Sequence, residues 1–454
     1  MKVNVNSAIF KAYDIRGIYP QDINGAGAFF IGQAFVKFLE KTAAKKLGKL
    51  KIAIGRDNRL SGSILSRNLI RGIVSMGANV VDLGLITTPM LYFAVARYRY
   101  DGGIIITASH NPKEYNGFKM VCERAIPISE ESGLRAIQHL AQSPLVSQKP
   151  KGMVLSAQSR VLRDYARFNL KNINKGDLKG LKIVIDTANA VSGMIVPQIF
   201  KNLPCRITHL FKKSDGRFPN HPPDPLIGEN LKALRAEVVA KGANLGVAFD
   251  GDGDRIVFID EKGELVSGNF IATLIVALIL KKQPGEKILY DVRSSNIVKE
   301  IIESGGGKPI IGRIGHSFIK EKMRKEQILF AAELSGHYYH RDHYFCEAPF
   351  FVLFTILKEL SKKPLSQLIE PYKKYYHSGE INFKIADKKT AMSRLERHYA
   401  DGRILKIDGL RVDYQDWWFL VRASNTEPVL RLVIEAKTKE LMDKKKEELS
   451  ALLN

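Results

Sequence analysis

The chain is 454 residues long, 45% apolar, and carries a formal net charge of +23. At roughly 100–200 residues per domain it is too long for one domain, and three or four are expected. No apolar run is long and clean enough to span a bilayer, and the N-terminal MKVNVNSAIFKAYDIRG lacks a signal-peptide core.

Three scattered cysteines, Cys122, Cys205 and Cys346, suggest neither a disulfide framework nor a zinc site, and fit a reducing cytoplasm. No membrane partner is expected. The basic excess favours anionic partners. Many of the lysines, however, sit in solvated patterns such as TKELMDKKKEEL, with acids interleaved.

Along the chain, three segments share a plan. KIAIGRD starts at Lys51, KIVIDTA at Lys182 and KILYDVR at Lys287. Each is a β-rich run ending in or near an aspartate, followed by small polar residues and a helical stretch. A second strand then follows: NVVDLGL, CRITHLF and KPIIGRI. Strand–helix–strand units of this kind predict parallel sheets and three related α/β domains. The apolar NFIATLIVALIL, Asn269 to Leu280, reads as a buried helix. From about Pro371 the pattern changes to INFKIAD, RILKIDGLRVDY, WWFLVRAS and VLRLVIEA, then a lysine-rich helix. This tail reads as a smaller α+β domain. The expected division is 1–150, 151–256, 257–368 and 369–454.

Four motifs carry chemistry. In GGIIITASHNPKEYNGFK, a buried strand ends at Thr107 and a loop follows, marked by an Asn-Pro pair and a glycine. Ser109 thus sits where α/β proteins place reactive groups. As a hydrolase nucleophile it lacks a G-x-S-x-G elbow. Neighbouring side chains in an extended segment also point to opposite faces, which would leave His110 badly placed as its base.

In NLGVAFDGDGDRIVFID, Asp250, Asp252 and Asp254 alternate with glycines. Three carboxylates this close repel one another unless a cation sits among them. Oxygen ligands alone suit a hard ion, Mg²⁺ first. A calcium EF-hand is the sharpest rival, with Glu261 at its twelfth position. It fails because position six is Arg255 rather than glycine and strand-like runs flank the loop.

In AAELSGHYY, the carboxylate of Glu333, the hydroxyl of Ser335 and the imidazole of His337 suit a polyol, and the stretch is equally readable as a polar turn. In VRASNTEPVLRL, Arg422 with Ser424, Asn425 and Thr426 offers the donors of a phosphate clamp, or an ordinary Ser/Asn turn. A serine near a three-carboxylate Mg²⁺ loop makes better sense as a phosphate carrier than as a hydrolase nucleophile.

TASHNPKEYNGFK, DGDGDR, ELSGH and RASNTEP occur in this order, after KAYDIRG near the N-terminus. Together they resemble the signature loops of the α-D-phosphohexomutases, in particular the phosphomannomutase/phosphoglucomutase group, over essentially the whole chain. The resemblance implies an α/β fold of four domains around a central cleft: three similar α/β domains with mixed or parallel sheets and a smaller C-terminal α+β domain. It implies Ser109 as phosphoserine and Mg²⁺ held by Ser109, Asp250, Asp252 and Asp254. It gives Lys119 and His316 (in RIGHSFIK) as general acid/base groups, with Arg255 beside the metal loop. Glu333 and Ser335 would grip sugar hydroxyls, with His337 nearby. Arg422, Ser424, Asn425 and Thr426 would hold the phosphate not being transferred, and Tyr13 and Arg16 would support the serine loop and substrate.

The implied reaction interconverts hexose 6-phosphate and hexose 1-phosphate (mannose, glucose or both). It runs through a 1,6-bisphosphate that also serves as activator, in a monomeric or dimeric enzyme. Two departures stand out. Arg293 in YDVRSSN replaces a lysine found in many members, keeping phosphate binding but not proton transfer. In YFCEAPF, Glu347 stands alone where an acidic pair is common. Two alternatives compete: phosphoglucosamine mutase, which the ELSGH loop disfavours, and a basic nucleic-acid-binding protein. For the latter no recognised motif is found and the lysines are dispersed.

Overall fold

The computed structural model describes residues 5–42, 49–385, 387–423 and 429–453. The chain divides into two compact units, Met1–Val266 with Ser335–Ser366, and Ser267–Leu334 with Gln367–Asn454.

The first unit holds two sheets. One has the strand order Ile15–Ile18, Tyr115–Cys122, Gly102–Ile106, Lys51–Arg56, Asn79–Leu85, Val154–Ser156. Lys51–Arg56 pairs in parallel with both of its neighbours, and Tyr115–Cys122 runs antiparallel to Gly102–Ile106 with Ile105 opposite Lys119. The run GGIII is apolar at every position because the strand is buried on both faces; Ile104, Ile105 and Ile106 have no exposed surface. Helices Gly25–Thr42 and Gly62–Ser75 pack together so closely that a Cβ on Gly72 would lie 2.0 Å from the Phe29 carbonyl oxygen. That position requires glycine.

The second sheet has the order Leu265–Val266, Ile256–Ile259, Leu245–Phe249, Lys182–Asp186, Arg206–Leu210. Strands Leu245–Phe249 and Ile256–Ile259 are joined by the DGDGDR loop and pair antiparallel. A hairpin of strands rules out the helix–loop–helix of an EF-hand. A short antiparallel pair, Tyr338–His340 with Cys346–Glu347, and helix Pro349–Leu360 complete the unit.

In the second unit, strand Lys287–Asp291 pairs in parallel with Lys308–Gly312 and Phe330–Ala332. NFIATLIVALIL lies within the helix Gly268–Leu280, most of whose apolar residues are buried. The C-terminal part is an antiparallel sheet ordered Tyr376–His377, Val429–Ala436, Trp417–Ala423, Leu410–Asp413, Arg403–Leu405, with Ile381–Lys384 also pairing to Val429–Ala436. Helix Lys388–His398 falls between strands Ile381–Lys384 and Arg403–Leu405, helix Lys439–Leu453 follows the last strand, and Leu395, Phe419, Leu432 and Leu449 share one core. The first of these helices was not among the elements expected from the tail pattern. Its mean hydropathy is low and its only buried residues are Ala391 and Leu395.

All three strand–helix–strand repeats form as expected, each with a parallel pair: Lys51–Arg56 with Asn79–Leu85, Lys182–Asp186 with Arg206–Leu210, and Lys287–Asp291 with Lys308–Gly312. Among the described residues, no helix is long and apolar enough to cross a membrane.

Candidate active site

Ser109 follows the buried strand Gly102–Ile106 and adopts a left-handed backbone, φ 51°. A non-glycine residue is held there only by its surroundings. Here the surroundings are specific. Thr107 Oγ1 accepts the Ser109 amide at 2.9 Å and donates to Asp57 Oδ2 at 2.6 Å. The Arg59 guanidinium, buried and paired with Asp57, donates to the carbonyls of Ser109, Asn111, Pro112 and Tyr115 at 2.5–3.0 Å. One planar fork thereby fixes the path of the whole loop.

The left-handed turn at Ser109 also overturns the expected separation of Ser109 and His110. The segment is not extended there, and His110 Nδ1 lies 3.2 Å from Ser109 Oγ. Burial, then the charges of Arg255 and Arg16, hold His110 well below the usual histidine range, so its ring is neutral.

Ser109 Oγ donates to Asp250 Oδ2 at 2.6 Å. The aspartate loop comes this close because Gly251 carries no side chain: a Cβ there would lie 2.2 Å from the Ser109 carbonyl oxygen. Asp250, Asp252 and Asp254 are buried, and one carboxylate oxygen from each lies within 4.8 Å of the others. Burial, then the like charges of Asp254 and Asp252, push Asp250 well above the usual carboxylate range. Lys119, at the end of the serine loop motif, bridges Asp252 Oδ2 at 2.7 Å and Asp254 Oδ2 at 2.6 Å. Burial opposes charge on Lys119, but the two carboxylates hold its proton above the usual lysine range. Asp252 Oδ1 is buried with no hydrogen-bond partner among the described residues. Three crowded carboxylates, one of their oxygens with no donor among the described residues, beside the serine hydroxyl offer oxygen ligands that fit a hard metal ion. Such a loop could hold one.

The ELSGH turn contributes to the same place from its second half. His337 Nε2 lies 3.1 Å from Asp254 Oδ1 and its Nδ1 lies 3.1 Å from Ser335 Oγ. Arg255 bridges to His337 through the backbone, and its Nε has no partner among the described residues. Burial would raise Asp254, but Lys119 and His337 hold it well below the carboxylate range. Arg16 reaches the serine loop, donating to Asn111 Oδ1 at 2.6 Å. Tyr13 is half-buried just before strand Ile15–Ile18.

In the second unit, Asp291 grips Arg293 through the backbone amide at 2.7 Å and Nη2 at 2.7 Å. Glu333 Oε2 lies 3.7 Å from Arg293 and accepts from the Gly315 amide at 3.4 Å, next to His316, which opens helix His316–Glu326. Arg422 is the penultimate residue of strand Trp417–Ala423 and pairs with Glu380 at 3.2 Å. Ser424, Asn425 and Thr426 lie outside the described residues.

Asp57 and Arg59 went unrecognised in the sequence. The signal was the repeat itself. Asp57–Asn58–Arg59 and Asp291–Val292–Arg293 follow equivalent strands, and in both the arginine amide and guanidinium bond back to the aspartate. Arg293 is therefore the third-domain counterpart of Arg59. Thr88, whose hydroxyl donates to Asp252 Oδ2 at 2.6 Å, carried no signal at all.

Comparison with known proteins agrees over the whole chain. Residues 7–144, 162–263 and 267–375 match, in turn, the families described as phosphoglucomutase/phosphomannomutase, alpha/beta/alpha domains I, II and III. Residues 380–452 match the phosphoglucomutase/phosphomannomutase C-terminal domain. The chain belongs to the phosphoglucomutase/phosphomannomutase family of four-domain mutases. It is 38% identical to a phosphomannomutase of Escherichia coli strain K12 over 460 residues, covering 98% of each chain. It is also 38% identical to a phosphomannomutase of Methanocaldococcus jannaschii, covering 98% of this chain and 97% of that one. A phosphoglucomutase/phosphomannomutase family protein of Burkholderia thailandensis superimposes with a TM-score of 0.89 at 31% identity, covering 99% of this chain and 98% of that one.

Proposed function

We propose that the protein interconverts hexose 6-phosphate and hexose 1-phosphate, with mannose, glucose or both as the sugar, through phosphorylated Ser109 and a hexose 1,6-bisphosphate. The observation that carries this reading is the 2.6 Å contact between the Ser109 hydroxyl and Asp250 in a buried group of three carboxylates. His110 lies within reach of the Ser109 oxygen, but that oxygen donates to Asp250 and so faces the carboxylate group that suits a cation, as a phosphoserine would require.

In the first half-reaction the bond from phosphorus to Ser109 Oγ breaks and a bond from phosphorus to the sugar hydroxyl oxygen forms. The hydroxyl proton passes to a base, and the second half-reaction reverses these steps at the other end of the sugar. We assign Mg²⁺ to Asp250, Asp252, Asp254 and the Ser109 phosphate; when bound it neutralises phosphoryl charge. Lys119, held charged between two carboxylates, stabilises phosphoryl charge and is assigned as the acid for the leaving Ser109 oxygen. His316 is the matching base. Arg255 supports the transferring phosphoryl group, with Tyr13 and Arg16 behind the serine loop. Glu333 and Ser335, with His337, read sugar hydroxyls; Arg293, Arg422, Ser424, Asn425 and Thr426 bind the phosphate that stays. The working form is a monomer or dimer, and a cytoplasmic location is supported by the lack of a disulfide among Cys122, Cys205 and Cys346.

The test is paired initial rates on mannose 1-phosphate and glucose 1-phosphate with Mg²⁺ and a trace of hexose 1,6-bisphosphate. Turnover of either is expected, and their ratio assigns the sugar. Faster turnover of glucosamine phosphate would replace this reading, and no turnover by folded, phosphorylated protein would end it.

A further inference from the structure

Arg422 and Arg431 stand directly opposite each other on neighbouring antiparallel strands. Like charges in that register repel. Arg293 approaches the same point. Among the described residues Glu380 reaches all three: its Oε1 lies 3.2 Å from Arg422 and 3.6 Å from Arg293, and Oε2 lies 3.5 Å from Arg431. Glu380 precedes strand Ile381–Lys384, which pairs with the strand carrying Arg431, so its backbone is anchored there.

We propose that Glu380 is a resident counter-anion of the phosphate clamp, which the phosphate of the substrate displaces on binding and which reclaims the arginines when that phosphate leaves. The inference rests on reading Arg422 and Arg293 as phosphate ligands.

The geometry favours exchange over permanent attachment. The contacts of Glu380 are long for charged hydrogen bonds, whereas Asp291 holds Arg293 at 2.7 Å. Two oxygens serve three guanidiniums, and the buried Arg422 Nε has no partner among the described residues. A phosphate monoester offers three oxygens and up to two charges and would satisfy the same donors better. Burial alone would raise Glu380, but Arg293, Arg422 and Arg431 hold it below the usual carboxylate range, so it remains an anion. Among the described residues Asp291 and Glu333 also face Arg293, so carboxylates already draw on the same cations. A phosphate dianion therefore gains full attraction only where Glu380 yields.

The reaction needs such a device. A bisphosphate that turns end for end must have its held phosphate released and the other taken up. A clamp with no resident anion would bind each phosphate more tightly and slow the exchange. A merely structural Glu380 would do the reverse, since its loss would let the arginines spread and weaken phosphate binding.

The two roles give opposite signs in one experiment. For E380Q, KM for mannose 1-phosphate or glucose 1-phosphate and the inhibition constant for inorganic phosphate are expected to fall about 3- to 10-fold, with kcat also falling. E380D, with its carboxylate drawn back, should show the same directions with smaller size, and carries the test if E380Q folds poorly. A rise or no change in both constants overturns the proposal. R422A tests the underlying reading separately. If it weakens substrate and phosphate while E380Q does not strengthen them, the clamp stands and the counter-anion role fails. If R422A changes neither constant, the clamp reading itself fails.

Discussion

The Ser109 hydroxyl donates to Asp250 Oδ2 at 2.6 Å although the two residues are 141 positions apart in the chain. The contact joins the end of one sheet to a hairpin loop of another and depends on Gly251 having no side chain. Ser109→Ala loses this contact but should leave the fold intact, because Arg59 and Thr107 hold the loop through the main chain of residue 109. Activity should fall by about 10³-fold or more. Labelling of the protein by phosphate-labelled hexose 1,6-bisphosphate should vanish. Retained labelling would place the phosphoryl carrier elsewhere.

Among the described residues Asp252 Oδ1 has no donor while its Oδ2 takes Lys119 and Thr88, so Oδ1 is the carboxylate oxygen best placed to meet a cation. Asp252→Asn keeps the shape and removes the charge. We expect it to weaken Mg²⁺ binding by at least about tenfold. The check is thermal melting across a Mg²⁺ series: the wild-type midpoint should climb with Mg²⁺ and that of the variant should stay nearly flat. Chelation of the wild-type protein should reproduce the loss of activity reversibly.

Arg59 touches no substrate in this scheme, yet it ties four carbonyls of the serine loop to Asp57. Arg59→Lys preserves the charge and loses the fork, leaving buried carbonyls without donors. A stability loss of about 2–4 kcal/mol is expected. The informative readout is kinetic. As a positioning residue, Arg59 should lower kcat and the rate of Ser109 phosphorylation far more than it alters KM. With kcat taken per mole of folded protein, a change in KM as large as the change in kcat would point to a substrate contact instead.

Much of this was legible in the sequence because it rests on local pattern. The apolar runs after Lys51, Lys182 and Lys287 could only be buried strands, and their repetition marks three related domains. The alternating aspartates pointed to a cation through charge repulsion alone, and the structure buries their three carboxylates together. What remained hidden depends on through-space contact. The left-handed turn at Ser109 brings His110 to the serine, against the alternation expected of an extended chain. Thr88 meets Asp252 across 164 positions. Glu380 was silent because a lone glutamate before a strand looks like surface charge until the three arginines around it are seen.

The last prediction concerns acid stability. His343 packs among the rings of Phe168, His340 and Phe351 at centroid distances of 4.9, 5.6 and 5.7 Å. Burial, with a smaller push from His340, drives it down to about 3. In the unfolded chain it titrates near 6.5. Below that pH the unfolded state takes up a proton that the folded state refuses, so stability falls as pH drops from about 6.5 towards 3. The contribution at pH 5 is about 1–2 kcal/mol. His343→Phe keeps an aromatic ring in that space and removes the titration. Urea midpoints for wild type and variant should differ little in their pH dependence above 7, while between pH 7 and pH 5 the variant should lose less stability by about that amount. Parallel losses in the two proteins would mean that His343 is protonated in the folded state and that water reaches its ring.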